Sequence, residues 1–460
     1  MIRAMGNGKW KMERSKWHTR KEWWAVRFPQ LKLRPLRSAR SGLLGLALFC
    51  HFASAATAIN PPDLPPLVKV NTALDNHLMV LNAHSTLKLE QANQLKWNSG
   101  NYEFTLRAGV GQRQMVYLGQ SFPEYDVAIE RPLRLPNKVG IDQNIGAASV
   151  ARADFALGDA HHEAGRLLLH FWFAWLREQT QVGLWQQQAN ILAQQVEVAD
   201  KRVKAGDAPK LELNLARAAH AQAQVSLQQA SLRAQMAAND LQQQFPAIPL
   251  PDEVVLQIPQ TIDGSYTVWQ ARIMNDNHEL GMAQAQAQVQ QLLAQRSRAD
   301  QLPDPTVGLN YSKSSYPNYI GGNEIITGVY LTVPIPSGAR NATAQGAEQQ
   351  ANIAADQAEF VKHRLQNDIY AAYYHAVRSY DTYQQAHEAA VAIRENAELI
   401  GKAYRLGESS LSDSLSARRI AQEATLAENL AQLEANEARY RLLLDGHQLW
   451  SHDENEPESR

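Results

Sequence analysis

The sequence predicts a mixed α and β fold made from one unit used twice: a helix, a pair of strands, and a hairpin of two long helices. Three observations carry that expectation. The first is internal repetition, clearest where Gly206-Asp207-Ala208-Pro209, Glu212 and Ala216-Arg217 are matched about 200 residues later by Gly407-Glu408-Ser409-Ser410, Asp413 and Ala417-Arg418. The second is that residues 139–204 and 339–406 contain no proline and are rich in Ala, Gln, Leu and Glu, which lose little freedom in a helix. At about 1.5 Å per residue each such helix approaches ~100 Å. The third is a pair of short alternating segments in each copy, closed by Pro132 in one and Pro334 in the other.

In this chain of 460 residues the 45% apolar content is spread through Ala- and Gln-rich stretches, which suits elongated elements packed side by side. A formal net charge of -1 removes the general electrostatic case for binding nucleic acid. Residues 1–58 read as a leader with a cleavable signal peptide. It has a basic, Trp-rich flank, an apolar run from Gly42 to Phe52, and small residues from Ala53 to Ala58, with cleavage expected after Ala55 or Ala58. The run is shorter than the roughly 20 residues a spanning helix needs. Cys50, the only cysteine, lies within it behind Phe49, where a lipoprotein site would carry a small residue. The mature chain is therefore expected to hold no disulfide and no cysteine-ligated metal.

Taken in order, residues 59–70 form a Pro-rich extended lead, since Pro61-Pro62 and Pro65-Pro66 suit neither a regular helix nor a central strand. Residues 71–245 form the first copy. Asn71 to Lys96 reads as one helix, with Leu74, Leu78, Leu81, Leu87 and Leu95 among polar neighbours. Strands follow near 103–111 and 124–132, where Phe104, Leu106, Ala108 and Val110, then Val127 and Ile129, alternate with polar residues. The long helix then runs to a turn near 206–210, and a second helix from Pro209 to Gln244 carries a seam of Ala216, Ala219, Ala223 and Leu227.

Residues 246–263, rich in Pro and acids, read as an irregular connector. The second copy, 264–446, repeats the order: a helix from Tyr266 to Ala299, strands near 306–313 and 324–333, a long helix, a turn near 407–411 and a last helix to Leu444. Residues 447–460 form a polar tail. Four strands cannot close a barrel, and free edges in lipid would strand backbone polar groups, so further copies of the chain are expected to supply the rest.

This arrangement resembles the TolC family of outer-membrane efflux proteins over roughly residues 64 to 446, nearest in character to the CzcC-like and CusC-like components of resistance-nodulation-division systems. The most recognisable pieces are Arg202-Val203-Lys204-Ala205-Gly206-Asp207-Ala208-Pro209-Lys210-Leu211-Glu212-Leu213 and Val333-Pro334-Ile335-Pro336-Ser337-Gly338. The resemblance implies a homotrimer whose chains share a twelve-stranded β-barrel continued as a long periplasmic α-helical barrel. It also implies a Gram-negative outer membrane with its lipid, a periplasmic membrane-fusion adaptor and an inner-membrane resistance-nodulation-division pump as partners. Transport would be passive, with no enzyme activity and no cofactor; heavy-metal cations are one cargo class, organic drugs or type I secreted proteins another.

In the family, acids on the helix after the second turn narrow the periplasmic entrance. Asp413 is the matching position, Glu212 its counterpart in copy one, and Glu408 lies in the turn itself; a threefold set would favour cations. Ser416 stands where a second acid is common, which weakens the ring. All three acids also suit solvated positions near helix starts. Arg202 and Arg405 are candidates to tie adjacent helices through carboxylate pairs. Gly206, Pro209, Gly407 and Ser410 mark the tips where an adaptor would dock, and the two glycines suit a left-handed reversal.

His161, His162 and His170 do not share a helix face with an acidic third ligand and read as solvated or interfacial, so no metal site is expected. The aromatic run His170-Phe171-Trp172-Phe173-Ala174-Trp175 reads as core where long helices meet between subunits. Tyr117, Tyr125, Tyr316, Tyr319 and Tyr330 suit barrel ends or outer loops. No phosphate loop, zinc-protease motif or nucleophile elbow is present, which speaks against a hydrolase. A non-conducting envelope coiled coil explains the helices but not the strand pairs set at equivalent places in both copies.

Overall fold

The computed structural model describes residues 61–316 and 321–450; the expected leader with Cys50, Tyr319 and the last ten residues lie outside them. The elements are α1 (Leu67–Asp75), α2 (Leu78–Ser99), β1 (Thr105–Met115), β2 (Gln120–Pro132), α3 (Pro136–Ala205), α4 (Lys210–Gln244), α5 (Tyr266–Asn275), α6 (His278–Ala299), β3 (Thr306–Ser315), β4 (Asn323–Thr332), α7 (Gly338–Leu406) and α8 (Leu411–Asp445). The fold is mixed, with helices of 70 and 69 residues and one four-stranded sheet.

Two expectations change. The single helices expected over 71–96 and 266–299 are each split in two, and the extended lead ends sooner, because α1 already starts at Leu67 behind Pro66. Each split is made by a side chain that starts a new helix: a His77 ring nitrogen accepts the Met79 N–H at 3.4 Å, and Asn277 Oδ1 accepts that of Leu280 at 2.8 Å. The signal was present as Asp75-Asn76-His77 and Asp276-Asn277-His278, a third piece of the repeat.

The sheet is antiparallel in the order β1-β2-β3-β4, so the two copies meet at the β2 to β3 pairing and β1 and β4 are its edges. Its register sorts the side chains. One row runs Leu106, Ile129, Leu309, Val329; the next runs Ala108, Val127, Tyr311, Thr327. Because strand side chains alternate, these share one face, while Arg107, Glu124, Glu130, Asn310, Ser312 and Tyr330 share the other.

In the helical part, α3 packs against α2, α4, α6 and α8, and α7 against α5, α6 and α8. The largest core gathers Leu168, Leu169, Trp172, Phe173, Trp175 and Leu176 with Phe245, Ile248, Leu433 and Tyr440. The aromatic run is thus buried inside one chain, not held open for a seam between subunits; only His170 of its residues is exposed. The reason is a polar anchor. Trp172 Nε1 donates to the Asp63 carbonyl at 2.7 Å, and Tyr440 Oη and Asn436 Nδ2 donate to the Asp63 carboxylate at 2.8 and 2.9 Å. This ties the start of α1 to α3 and α8.

Where the sheet joins the helices, fully buried Lys138 reaches Asp300 and Asp304 at 2.9 Å each, and Asp142 accepts from Arg134 and, at 2.5 Å, from Arg296. Such a network holds only if each charge is partnered, and it fixes the exits of β2 and α6 against one another. No helix among the described residues is long and apolar enough to cross a membrane.

Candidate functional site: the helix tips and the exposed sheet face

Both long helices end the same way. Gly206 and Gly407 take φ 82 with ψ 7 and 8, the left-handed geometry that an L side chain resists. Around them the N–H of Asp207 bonds the Arg202 carbonyl and that of Glu408 bonds the Ala403 carbonyl, both at 2.9 Å, closing the turn. The return helices differ at their starts. Ser410 caps α8 by accepting the Asp413 N–H at 3.1 Å while its hydroxyl donates to Asp413 Oδ2 at 2.7 Å. Pro209 precedes α4 without a side-chain cap, its φ of -72 already suited to entering a helix.

The acids are placed unequally. Asp413 and Glu408 are exposed. Glu212 is drawn inward: it accepts from Tyr404 Oη at 3.1 Å and faces Arg202 at 3.8 Å, and Arg202 lies over the Tyr404 ring, 5.1 Å from its centre. Tyr404 is 3% exposed, and burial first, then the Glu212 carboxylate, pushes its phenol upward, so it stays a donor. This triad links α3 and α4 of copy one to α7 of copy two over a small core of Ala199, Leu213, Ala216 and Leu411. Arg202 therefore has its carboxylate within the chain. Arg405 has no ion pair among the described residues and lies close enough to half-buried Arg418 to lower the latter's pKa, an effect second to that of burial. Pro132 closes β2 and pairs with Thr306 of β3, while Pro334 lies just beyond β4.

The apolar sheet face is uncovered: Leu106, Val110, Leu309, Ile325, Val329 and Leu331 are each more than half exposed. The opposite face is polar and cross-linked, with Arg107 to Glu130 at 3.1 Å, Arg113 to Glu124 at 2.6 Å and Tyr330 to Glu130 at 2.7 Å. Strands of 10 to 13 residues with one apolar and one polar face have the length and sidedness of membrane-barrel strands. Tyr117 lies in the turn between β1 and β2 and Tyr316 just past β3, while Tyr125 lies within β2 and Tyr330 within β4, where it bonds Glu130 on the polar face.

The histidines regroup. His161 lies 3.9 Å from Asp75 and His170 is exposed, but His162 meets His278 and His447, two residues the sequence reading did not single out. Burial, then the two neighbouring imidazoles, holds His162 down at about 3, so it is neutral. The repeated Asp-Asn-His piece could have drawn notice to His278; nothing in the sequence places His447 beside it.

Long paired helices running from a four-stranded sheet with one apolar face are an arrangement shared with solved outer-membrane channels. Residues 270–444 match the family described as outer membrane efflux protein. Among solved structures, the outer membrane protein VceC of Vibrio cholerae is similar at 14% identity over 84% of this chain and 95% of that one, with a TM-score of 0.66. The CmeC outer membrane channel of Campylobacter jejuni is similar at 15% identity over 85% and 86%, TM-score 0.63. CusC is similar at 13% identity over 82% and 91%, TM-score 0.63. Comparison with curated proteins finds no match.

Proposed function

We propose that the chain is the outer-membrane exit duct of a tripartite efflux system, a homotrimer that passively carries substrate from an inner-membrane resistance-nodulation-division pump and a periplasmic adaptor to the exterior. The observation that carries this reading is the sheet: an uncovered apolar face, a polar reverse face, and edge strands β1 and β4 that a neighbouring copy can pair. Three such sheets make a twelve-stranded barrel, lipid outside and water within. The helices below it form the periplasmic tunnel, and the tips at Gly206 and Gly407 form the entrance and the adaptor's docking points. The duct itself has no catalytic step; the pump supplies the energy.

Cations, heavy-metal ions among them, are the proposed cargo. Exposed Asp413 and Glu408, tripled by symmetry, support it, while Arg405 and Arg418 nearby make the ring mixed rather than purely acidic. The likeness to CusC adds nothing here, since CmeC and VceC are as similar.

Planar-bilayer conductance of the detergent-extracted protein, with its oligomer mass checked in parallel, tests the duct. Discrete conductance from a trimer, reduced by multivalent cations and less so in Asp413→Ala, supports both the duct and its entrance. Failure of a folded preparation to insert supports the envelope coiled coil instead. Metal-ion against organic-drug tolerance in cells relying on this duct tests the cargo.

A further inference from the structure

We infer that His162, His278 and His447 form a binding site for one borderline divalent cation of the Zn²⁺ type per chain, a staple between the two repeats and the C-terminal turn. The three come from separate elements: His162 from within α3, His278 from the first position of α6, and His447 from the turn after α8. Their Nε2 atoms converge, 2.8 Å from His162 to His447 and 3.5 Å from His447 to His278. All three lie within 4.8 Å of one another, and nitrogens bound to one tetrahedral zinc at about 2.0–2.1 Å sit roughly 3.3 Å apart, so the rings must turn to draw onto a shared ion.

The surroundings favour that occupant. Three imidazole nitrogens suit zinc, copper or nickel rather than magnesium or calcium. The outer nitrogen of His447, Nδ1, is buried and has no hydrogen-bond partner among the described residues, so no such bond fixes its tautomer and Nε2 is available as a ligand atom. His447 holds φ 56 in the reversal that ends α8, where its N–H bonds the Leu444 carbonyl at 3.1 Å and that of Gln448 bonds the Leu443 carbonyl at 2.8 Å. Helix α3 makes room for His278: a Cβ on Gly158 would come within 2.5 Å of its Nδ1. The adjacent cation, Arg166, is neutralised by Asp445 at 2.8 Å and by Glu163. Three protein ligands leave a fourth position for water.

This site does not depend on what the duct transports. The test uses untagged full-length protein in detergent, stripped with chelator and titrated with Co²⁺ and then Zn²⁺. The expected result is one ion per chain, with the intense visible bands of four-coordinate cobalt, displaced by zinc. His162→Ala, His278→Ala and His447→Ala each lower affinity by more than about tenfold, the least that even loss of a supporting partner produces at such sites. His161→Ala leaves affinity unchanged. Gly158→Ala, which keeps all three rings but crowds His278, weakens binding without removing a ligand. Absence of four-coordinate bands in the folded natural chain overturns the inference regardless of how the variants fold, as does equal uptake by the natural chain and a folded triple variant.

Discussion

Placing arginine at Val329 tests most directly whether the apolar sheet face meets lipid. Val329 lies near the middle of the ten-residue β4, is 75% exposed in the single chain, and ends the row Leu106, Ile129, Leu309, Val329. If that face meets lipid, a guanidinium there costs about 2–4 kcal/mol per chain near the bilayer midplane. Taking ~3 kcal/mol, the folded to unfolded ratio falls about 100-fold per chain, at about 1.4 kcal/mol per factor of ten. Ile326→Arg is the control. It makes a similar change three residues earlier, but Ile326 faces Ser312 on the polar side, where the charge stays wet and the expected cost is below ~1 kcal/mol. Urea denaturation of protein folded into lipid vesicles, followed by tryptophan fluorescence, gives both values. Equal destabilisation by the two variants, or none from Val329→Arg, would refute the assignment of lipid and lumen faces.

Four other outcomes are expected. Gly407→Ala meets no atom within 4 Å, so its cost is the left-handed backbone alone, about 1–2 kcal/mol, read as faster amide hydrogen exchange confined to the second tip. Glu212→Ala and Tyr404→Phe should couple by about 1 kcal/mol in a double-mutant cycle of thermal or denaturant stability, because each removes one end of the same hydrogen bond. If Asp413 lines the proposed entrance, Asp413→Ala should weaken block by multivalent cations, measured as conductance, with the oligomer mass unchanged. In chelator, stability should fall with pH: His162 takes its proton near 6.5 when unfolded but only at about 3 when folded, so between those values the unfolded state binds more protons. Asp159, raised to about 6 by burial and then by Glu163 and Glu279, acts oppositely between 3.8 and 6. His162→Gln should therefore flatten most clearly the loss of melting temperature between about pH 7 and pH 6.

The repeat was legible because its local chemistry is local in sequence. Gly206 and Gly407 end helices wherever a chain must reverse, prolines are absent from 139–204 and 339–406, and alternation marks a strand whatever it pairs with. The helix breaks at Asn76-His77 and Asp276-Asn277 are also written locally, but helix-forming sequence continues on both sides of each, and the side-chain caps that start the new helices depend on geometry.

The order of elements, the alternation of each strand and the reversal at each tip can be read along the chain, since they depend on neighbours a few residues away. Which positions share a row or a cluster depends on how distant segments fold together. Leu106 and Val329 lie 223 residues apart and align only through the register of three strand pairings. Glu212 became a partner of Arg202 and Tyr404 rather than an open acid because two hairpins from different repeats pack at one tip. His162, His278 and His447 converge only because α3, α6 and the turn after α8 meet. Contacts between distant segments are set by packing and register, and a single chain read along its length carries no measure of either.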